Sequence, residues 1–282
     1  MPETNTQNLL DSLTQTIRQY PSLLTAFSAG IDSTLIAVLA RQTLGRDLAP
    51  AAIADSPSLP RYELEQARLI AQDHDIKLII VEPDEIQDEQ YQANDSQRCY
   101  YCKSHLYNSL HVLADDLGIT HIANGTNRDD FGDHRPGLTA ASQANIVSPL
   151  AEAGLDKAQI RAVAKLMGIE NWDKPAAACL SSRIAYGLQV TPERLSQVEK
   201  AENHLRNLGF NQFRVRHHDT IARIELPETD LINSIQDKDL RNSIITGIKA
   251  AGFTYVSLDL EGFRSGSGNL VLTINQTNDI TP

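Results

Sequence analysis

Between residues 23 and 44 the chain passes from an apolar strand pattern, Leu23 to Phe27, through the small-residue turn Ser28-Ala29-Gly30-Ile31-Asp32-Ser33, into an apolar helix pattern, Thr34 to Leu44. This passage constrains the fold more than any other segment. A buried strand feeding directly into a buried helix is the opening of a βαβ unit, and the turn joining them aims free backbone N–H groups and the positive end of the helix dipole outward. Such a turn suits the phosphates of a nucleotide, so Ser28, Gly30, Asp32 and Ser33 are expected to bind ATP. Simple capping of the helix by Ser28 and Asp32 is the alternative.

The rest of the first two thirds repeats the pattern. Strands are expected at Ala51 to Ala54, Lys77 to Val81 and Thr120 to Ala123, and helices at Tyr62 to His74, Lys103 to Leu117 and Lys157 to Met167. The expected fold is therefore α/β, a parallel sheet with helices on both faces and ligands at the carboxyl ends of the strands, where Ser28, Asp55 and Gly125 should converge. After Gly187 the texture changes. Helix, two alternating strands, helix and strand are expected at Pro192 to Leu208, Phe213 to His217, Ile221 to Leu226, Asp230 to Ala250 and Tyr255 to Leu260. They read as a smaller α+β C-terminal domain of ferredoxin-like type. The domains are placed at 1–187 and 188–282, with the boundary between Ile184 and Val190, and the tail from Gly266 onward reads as poorly ordered.

At 282 residues the chain can bury two cores. Its apolar content of 41% and charged content of 22% are ordinary for a soluble globular protein. No apolar run approaches the roughly 18 residues of a membrane span, and Met1 to Gln7 lacks a signal pattern, so a cytoplasmic location and no membrane partner are expected. A net charge of −11 argues against nucleic acid as a partner while leaving room for a local basic pocket. The three cysteines do not suggest a disulfide scaffold. Cys99 and Cys102 form a C-x-x-C pair in the segment before a helix, and Cys179 lies in Cys179-Leu180-Ser181-Ser182-Arg183. The pair could be a redox dithiol or half of a zinc site with His105 as a further ligand, and with Cys179 it could supply three thiolates to an iron–sulfur cluster.

The turn resembles the S-G-G-x-D-S signature of the PP-loop ATP pyrophosphatases, with Ala29 in place of the second glycine. It has no Walker lysine. The resemblance implies scission of ATP between the α and β phosphates and an adenylated substrate. If position 29 needs a positive φ, alanine there costs on the order of 1 kcal/mol.

Further segments occur in the order found in the LarE family: Gly125-Thr126-Asn127-Arg128-Asp129-Asp130, Arg135-Pro136-Gly137, Ser148-Pro149-Leu150 with Ile160-Arg161, Cys179 to Arg183, Arg214-Val215-Arg216 and Leu258 to Arg264. With the turn, they make the chain similar to that family over nearly its whole length. LarE proteins are ATP-dependent sulfur transferases that build the nickel-pincer nucleotide cofactor. The resemblance implies a small-molecule substrate with two carboxylates on a pyridinium ribose phosphate, adenylated by ATP with Mg²⁺ and converted to thiocarboxylates. It also implies one of two sulfur sources: Cys179 itself, left as dehydroalanine, or a [4Fe–4S] cluster held by Cys99, Cys102 and Cys179 that carries sulfide from an external source. The three-cysteine pattern favours the cluster.

Arg214 and Arg216 alternate along a strand and so share one face, which suits a phosphate or a solvated surface; the resemblance assigns them to the substrate nucleotide. Asn127, Asp129 and Asp130 are expected to orient Mg²⁺ or substrate, or to cap the next helix. Ser182 and Arg183 are expected to hold the adenylate or to bond within their own loop. Glu202 is a weaker candidate. The second domain is expected to bind substrate and to form a homo-oligomer. The rival functions are an amide-forming or tRNA-modifying PP-loop ligase and a non-catalytic sensor of ATP or metal.

Overall fold

A computed structural model of the chain describes residues 3–132, 136–174, 178–264 and 267. The chain divides into two compact units, Met1–Glu85 with Cys99–Ala177, and Ile86–Arg98 with Ala178–Pro282. The division falls earlier than the boundary expected at 184–190. Asn94 explains much of the difference, because its side-chain amide donates to the carbonyls of Ala185 and Leu188 at 2.9 and 2.8 Å. This clamp ties 86–98 to the segment in which the boundary is expected. The expected tail lies, apart from Ser267, outside the described residues.

The first unit contains α1 (Glu3–Arg18), β1 (Leu23–Ala26), α2 (Ile31–Leu44), β2 (Ala51–Ala54), α3 (Arg61–Asp73) and β3 (Leu78–Val81). The short α4 (Glu89–Gln92) belongs to the second unit, as does Arg98, where α5 (Arg98–Leu117) begins. The first unit then continues with β4 (His121–Ala123), α6 (Pro136–Gln143), α7 (Pro149–Glu152) and α8 (Lys157–Leu166). Its strands form a parallel sheet in the order β3-β2-β1-β4.

Successive residues of β1 point to opposite faces. Leu23 joins a core with Leu13 and Ile17 of α1, Leu35 of α2 and Ile160 of α8, whereas Leu24 joins one with Tyr107 and Leu110 of α5. Burial of each large aliphatic side chain contributes roughly 1.5–3 kcal/mol. At β1 both faces are covered, which is why Leu23, Leu24 and Thr25 are buried in succession instead of alternating. The order also puts a topological switch between β1 and β4, and the crevice beyond their carboxyl ends is the ligand position in such sheets.

In the second unit, α9 (Pro192–Asn207) is followed by β5 (Arg214–His218), β6 (Ile221–Glu225), α10 (Glu228–Gln236), α11 (Lys238–Ala250) and β7 (Tyr255–Leu258). β5 pairs antiparallel with β6, and β6 pairs parallel with β7. The ferredoxin-like expectation is corrected here: no strand separates β6 from β7, so the parallel pair is not split. The single helix expected at Asp230 to Ala250 is two helices. Asp237 adopts an extended conformation and caps α11 by accepting from the backbone N–H groups of Asp239 and Leu240. Val215, Ala222 and Ile224 pack with Leu205 of α9 and Ile248 of α11. Among the described residues, no helix is long and apolar enough to cross a membrane.

His217 is buried on the core side of β5, 5.0 Å between ring centroids from Phe253. Its Nε2–H donates to Gln197 Oε1 at 2.8 Å, and Nδ1 has no partner among the described residues. The neutral ring fits this setting. Burial, reinforced by the charge of Arg194, pushes its pKa down to about 4. The unfolded chain therefore binds the extra proton first, and stability is lost as pH falls from about 6.5 to about 4, by on the order of 3 kcal/mol. Thermal unfolding of wild type and His217→Phe at pH 7 and pH 5 checks this: the variant should lose less stability on acidification. Equal acid sensitivity would contradict the assignment.

Candidate functional site

The turn after β1 is shaped by its own hydroxyls. Ser33 Oγ accepts from the Ser28 backbone N–H at 3.1 Å and donates to the Gly30 carbonyl at 3.1 Å, while Ser28 Oγ lies 3.1 Å from Ser33 Oγ. Gly30 stands at the N-cap of α2 without a side-chain cap, so the capping of α2 by Ser28 or Asp32 is not what the turn provides. Ala29 has φ 56°, the left-handed conformation that glycine adopts without strain. Asn171 supports it, donating to the Ala29 carbonyl at 3.0 Å and to Thr34 Oγ1 at 3.3 Å. No sequence motif pointed to Asn171.

Gly125, just after β4, comes close to this turn. A Cβ at that position would lie 3.0 Å from Asp32 Cβ and 3.1 Å from the Ser33 nitrogen, so a side chain there would push the two strand ends apart by a few tenths of an ångström. Asn127 and Asp129 lie in the following loop, where Asn127 Oδ1 accepts from the Asp129 N–H at 3.0 Å. Asp129 Oδ2 accepts from the Lys157 N–H at 3.0 Å, and Asp130 accepts from the Asn127 N–H at 3.1 Å. These carboxylates therefore bond to the loop and to the start of α8. Lys157 Nζ in turn pairs with Asp32 Oδ2, so a lysine absent from the turn's own sequence reaches it from α8. Asp55, beyond β2, pairs with Arg61. Nearby, Glu85 is buried beside the hydroxyls of Ser56 and Ser58, and burial raises its pKa.

In the second unit, Cys179 is half-buried at the start of a 3-10 turn, Leu180–Arg183. Its carbonyl accepts from the Ser182 N–H at 3.1 Å, Ser182 Oγ at 2.7 Å and Arg183 Nη1 at 3.0 Å. Arg183 is 4% exposed and pairs through Nε with Glu202 Oε1 at 2.9 Å. Ser182 and Arg183 thus bond within their own loop, and Glu202 anchors the arginine that fixes the Cys179 backbone.

Arg214 and Arg216 share a face of β5, as their alternation requires, but their environments differ. Arg216 is 8% exposed and makes a bidentate pair with the fully buried Glu225, at 3.0 Å through both Nε and Nη2. It also donates to the Ser182 carbonyl at 2.9 Å. Arg214 is half-buried, with its guanidinium 5.1 Å from the Phe263 ring centroid. Arg223 pairs with Asp259 and with Glu225. The Arg214-Val215-Arg216 and Leu258 to Arg264 segments are therefore one cluster in space. His218 lies on the same face, its pKa lowered by burial and by the charges of Arg223 and Arg216, and its neutral ring accepts from Arg223 Nε at 3.1 Å.

Cys99 and Cys102 lie inside α5, not before it, because the helix begins at Arg98. Cys99 is exposed, Cys102 is half-buried, and none of the three cysteines is in a disulfide. Residues three apart share a helix face, so the pair has ligand spacing. Cys179 belongs to the other unit, so neither unit by itself contains all three thiols. Among the described residues, no group of three or more His, Cys, Asp or Glu side chains is gathered to hold a metal ion.

No family model matches the chain. It is 43% identical over 267 residues to the uncharacterized protein slr1717 of Synechocystis, covering 95% of this chain and 99% of that protein. It is 37% identical over 262 residues to the pyridinium-3,5-bisthiocarboxylic acid mononucleotide synthase of Lactiplantibacillus plantarum, covering 93% of this chain and 94% of the synthase. The chain belongs to the LarE family. A third relative, the uncharacterized protein MJ0830 of Methanocaldococcus jannaschii, is 31% identical over 243 residues, 86% of this chain and 91% of its own length. Within this LarE-family chain, Ala29 is the departure from the PP-loop signature that the geometry makes costly. Ala29→Gly should raise the melting temperature by about 2–4 °C, from relief of about 1 kcal/mol of backbone strain. A fall in melting temperature would show that Asn171 and the packing of the methyl group already offset the strain.

Proposed function

We propose that the protein is an ATP-dependent sulfurtransferase that converts the two carboxylates of a pyridinium-3,5-biscarboxylic acid mononucleotide to thiocarboxylates, for synthesis of a nickel-pincer nucleotide. The observation that carries this reading is the 37% identity, over 93% of the chain, to a synthase named for that bisthiocarboxylic product. The form of the turn supports ATP as the activating substrate. Ser28, Gly30 and Ser33 turn backbone groups and the start of α2 toward the crevice at the strand ends, next to Gly125, where an anion is favoured. Asp32, Asn127 and Asp129 stand beside it as groups toward Mg²⁺ or substrate.

In this reading a substrate carboxylate oxygen attacks the α phosphorus of ATP, the bond from that phosphorus to the bridging oxygen breaks, and pyrophosphate leaves. The acyl-adenylate then has a good leaving group. A sulfur nucleophile attacks the acyl carbon, the C–O bond to AMP breaks, and AMP departs with the former carboxylate oxygen. In the second unit Arg183 and Ser182 hold the Cys179 backbone in place, and Arg214, less enclosed than Arg216, is the arginine suited to the substrate phosphate. A [4Fe–4S] cluster on Cys99, Cys102 and Cys179 would supply sulfide from the iron that lacks a protein thiolate. The donor set, three thiolates with two at C-x-x-C spacing, fits that group. The second unit is proposed to carry the contacts of a homo-oligomer.

Two measurements test this reading. Substrate addition should release AMP and pyrophosphate, and release of ADP and orthophosphate would overturn the activation step. Protein prepared without oxygen should contain about four irons per chain, the content of one cubane cluster, and Ala at any of the three cysteines should remove most of it. Full activity in a Cys99→Ala, Cys102→Ala double variant, with Cys179 lighter by the mass of hydrogen sulfide after turnover, would replace the cluster with sacrifice of Cys179.

A further inference from the structure

We propose that Arg98 is a positioning residue for the Cys179 thiol, acting with Tyr91 through Ser181 to hold the turn on which the cysteine stands. The inference deepens the sulfurtransferase reading above and rests on it, because Cys179 must be placed whether it ligates a cluster or gives up its own sulfur.

Ser182, Arg183 and Arg216 secure the turn Leu180–Arg183 through the carbonyls of Cys179 and Ser182. A second set of contacts comes from the segment 86–98 of the same unit. Arg98 Nη1 donates to the Ser181 carbonyl at 3.0 Å, and the Tyr91 hydroxyl shares a hydrogen bond with Ser181 Oγ at 2.5 Å. Tyr91, Arg98 and Ser181 are all buried. The same Nη1 donates to Asn94 Oδ1 at 2.5 Å, and the guanidinium lies 5.5 Å from the Tyr186 ring centroid. A buried guanidinium is costly to leave without partners, so it stays where these oxygens and the ring meet it. A hydrogen bond from a charged donor is also about twice as strong as a neutral one. The Ser181 carbonyl is therefore held firmly, two residues from Cys179, whose side chain is half-buried.

Arg98 need not touch sulfur to act in this way. It opens α5 and precedes Cys99, and Cys102, four residues on, lies on the same helix face. The residue that secures one thiol-bearing segment is thus covalently joined to the other. Three residues of 86–98 that carry no thiol acquire a function from this arrangement: Tyr91 and Arg98 hold Ser181, and Asn94 holds Arg98.

Alkylation of Cys179 by iodoacetamide tests the role, followed by site-resolved mass spectrometry on the full chain with iron chelated, at a temperature well below each variant's melting point. Arg98→Met should raise the Cys179 rate by about 10-fold or more, the effect on opening of the turn when a hydrogen bond from a charged donor is lost. Tyr91→Phe, which removes one hydroxyl and keeps the buried ring, should raise it by about threefold. Ile248→Val, in the core of the same unit, is the control for stability alone. It should lower the melting temperature and leave the Cys179 rate within about twofold. A wild-type Cys179 rate in Arg98→Met and Tyr91→Phe would overturn the role, as would a rise of equal size in Ile248→Val. If Arg98→Met does not fold, Tyr91→Phe decides by the same outcomes. Iron content and AMP release test the sulfurtransferase reading separately, since the alkylation rate depends on neither.

Discussion

The close contact between the residue after β4 and the first turn of α2 is the constraint on which the proposed nucleotide site depends. A side chain at position 125 would meet Asp32 and the Ser33 backbone at about 3 Å, so a glycine there sets how nearly the two central strand ends can approach. Once they are that close, the N-terminal N–H groups of α2, the polar loop 126–130 and the start of α8 share one crevice. The same closeness lets Lys157 reach Asp32. In the same turn Ala29 is left-handed, and Asn171 holds its carbonyl.

A different principle organises the second unit. Its sheet has one apolar face, with Val215, Ala222 and Ile224, and one polar face, where three arginines meet two carboxylates. Glu225 is fully buried and takes Arg216 in bidentate geometry, with Arg223 sharing one oxygen. A buried carboxylate of this kind is tolerated because it is paired, and removing one partner costs far more than the pair contributes. Arg216 therefore holds the sheet face to the Cys179 loop through the Ser182 carbonyl. Arg214 is half-buried, with its guanidinium over the Phe263 ring. Two arginines that look equivalent in sequence thus differ in setting, Arg216 in a buried carboxylate pair and Arg214 half-buried against an aromatic ring.

The parallel sheet was legible because each strand is short, apolar and followed by an amphipathic helix. β2 was located to the residue. The ends of β1 and β3 were found within one position, each being a short, mainly apolar run ahead of a longer amphipathic segment. The start of α5 was less visible. Cys99 and Cys102 sit in its first two turns, where cysteine and tyrosine carry little helix signal. The break between α10 and α11 depends on Asp237 acting as a cap, a role that a polar residue within a continuous amphipathic pattern does not announce. Lys157 and Asn171 could not be found by motif, because each acts on a segment more than a hundred residues away in sequence. Only the packing of α8 and of the segment after it beside the turn creates those roles.

The central claim is that a substrate carboxylate is activated on the α phosphorus before sulfur enters. Oxygen tracing tests it directly, with the pyridinium biscarboxylic mononucleotide labelled with oxygen-18 in its carboxylates, unlabelled ATP, and mass spectrometry of the AMP formed. The account predicts one labelled oxygen transferred to the AMP phosphate for each thiocarboxylate made, because the C–O bond to AMP is the one that breaks. Unlabelled AMP accompanying thiocarboxylate formation, or label in orthophosphate, would contradict it.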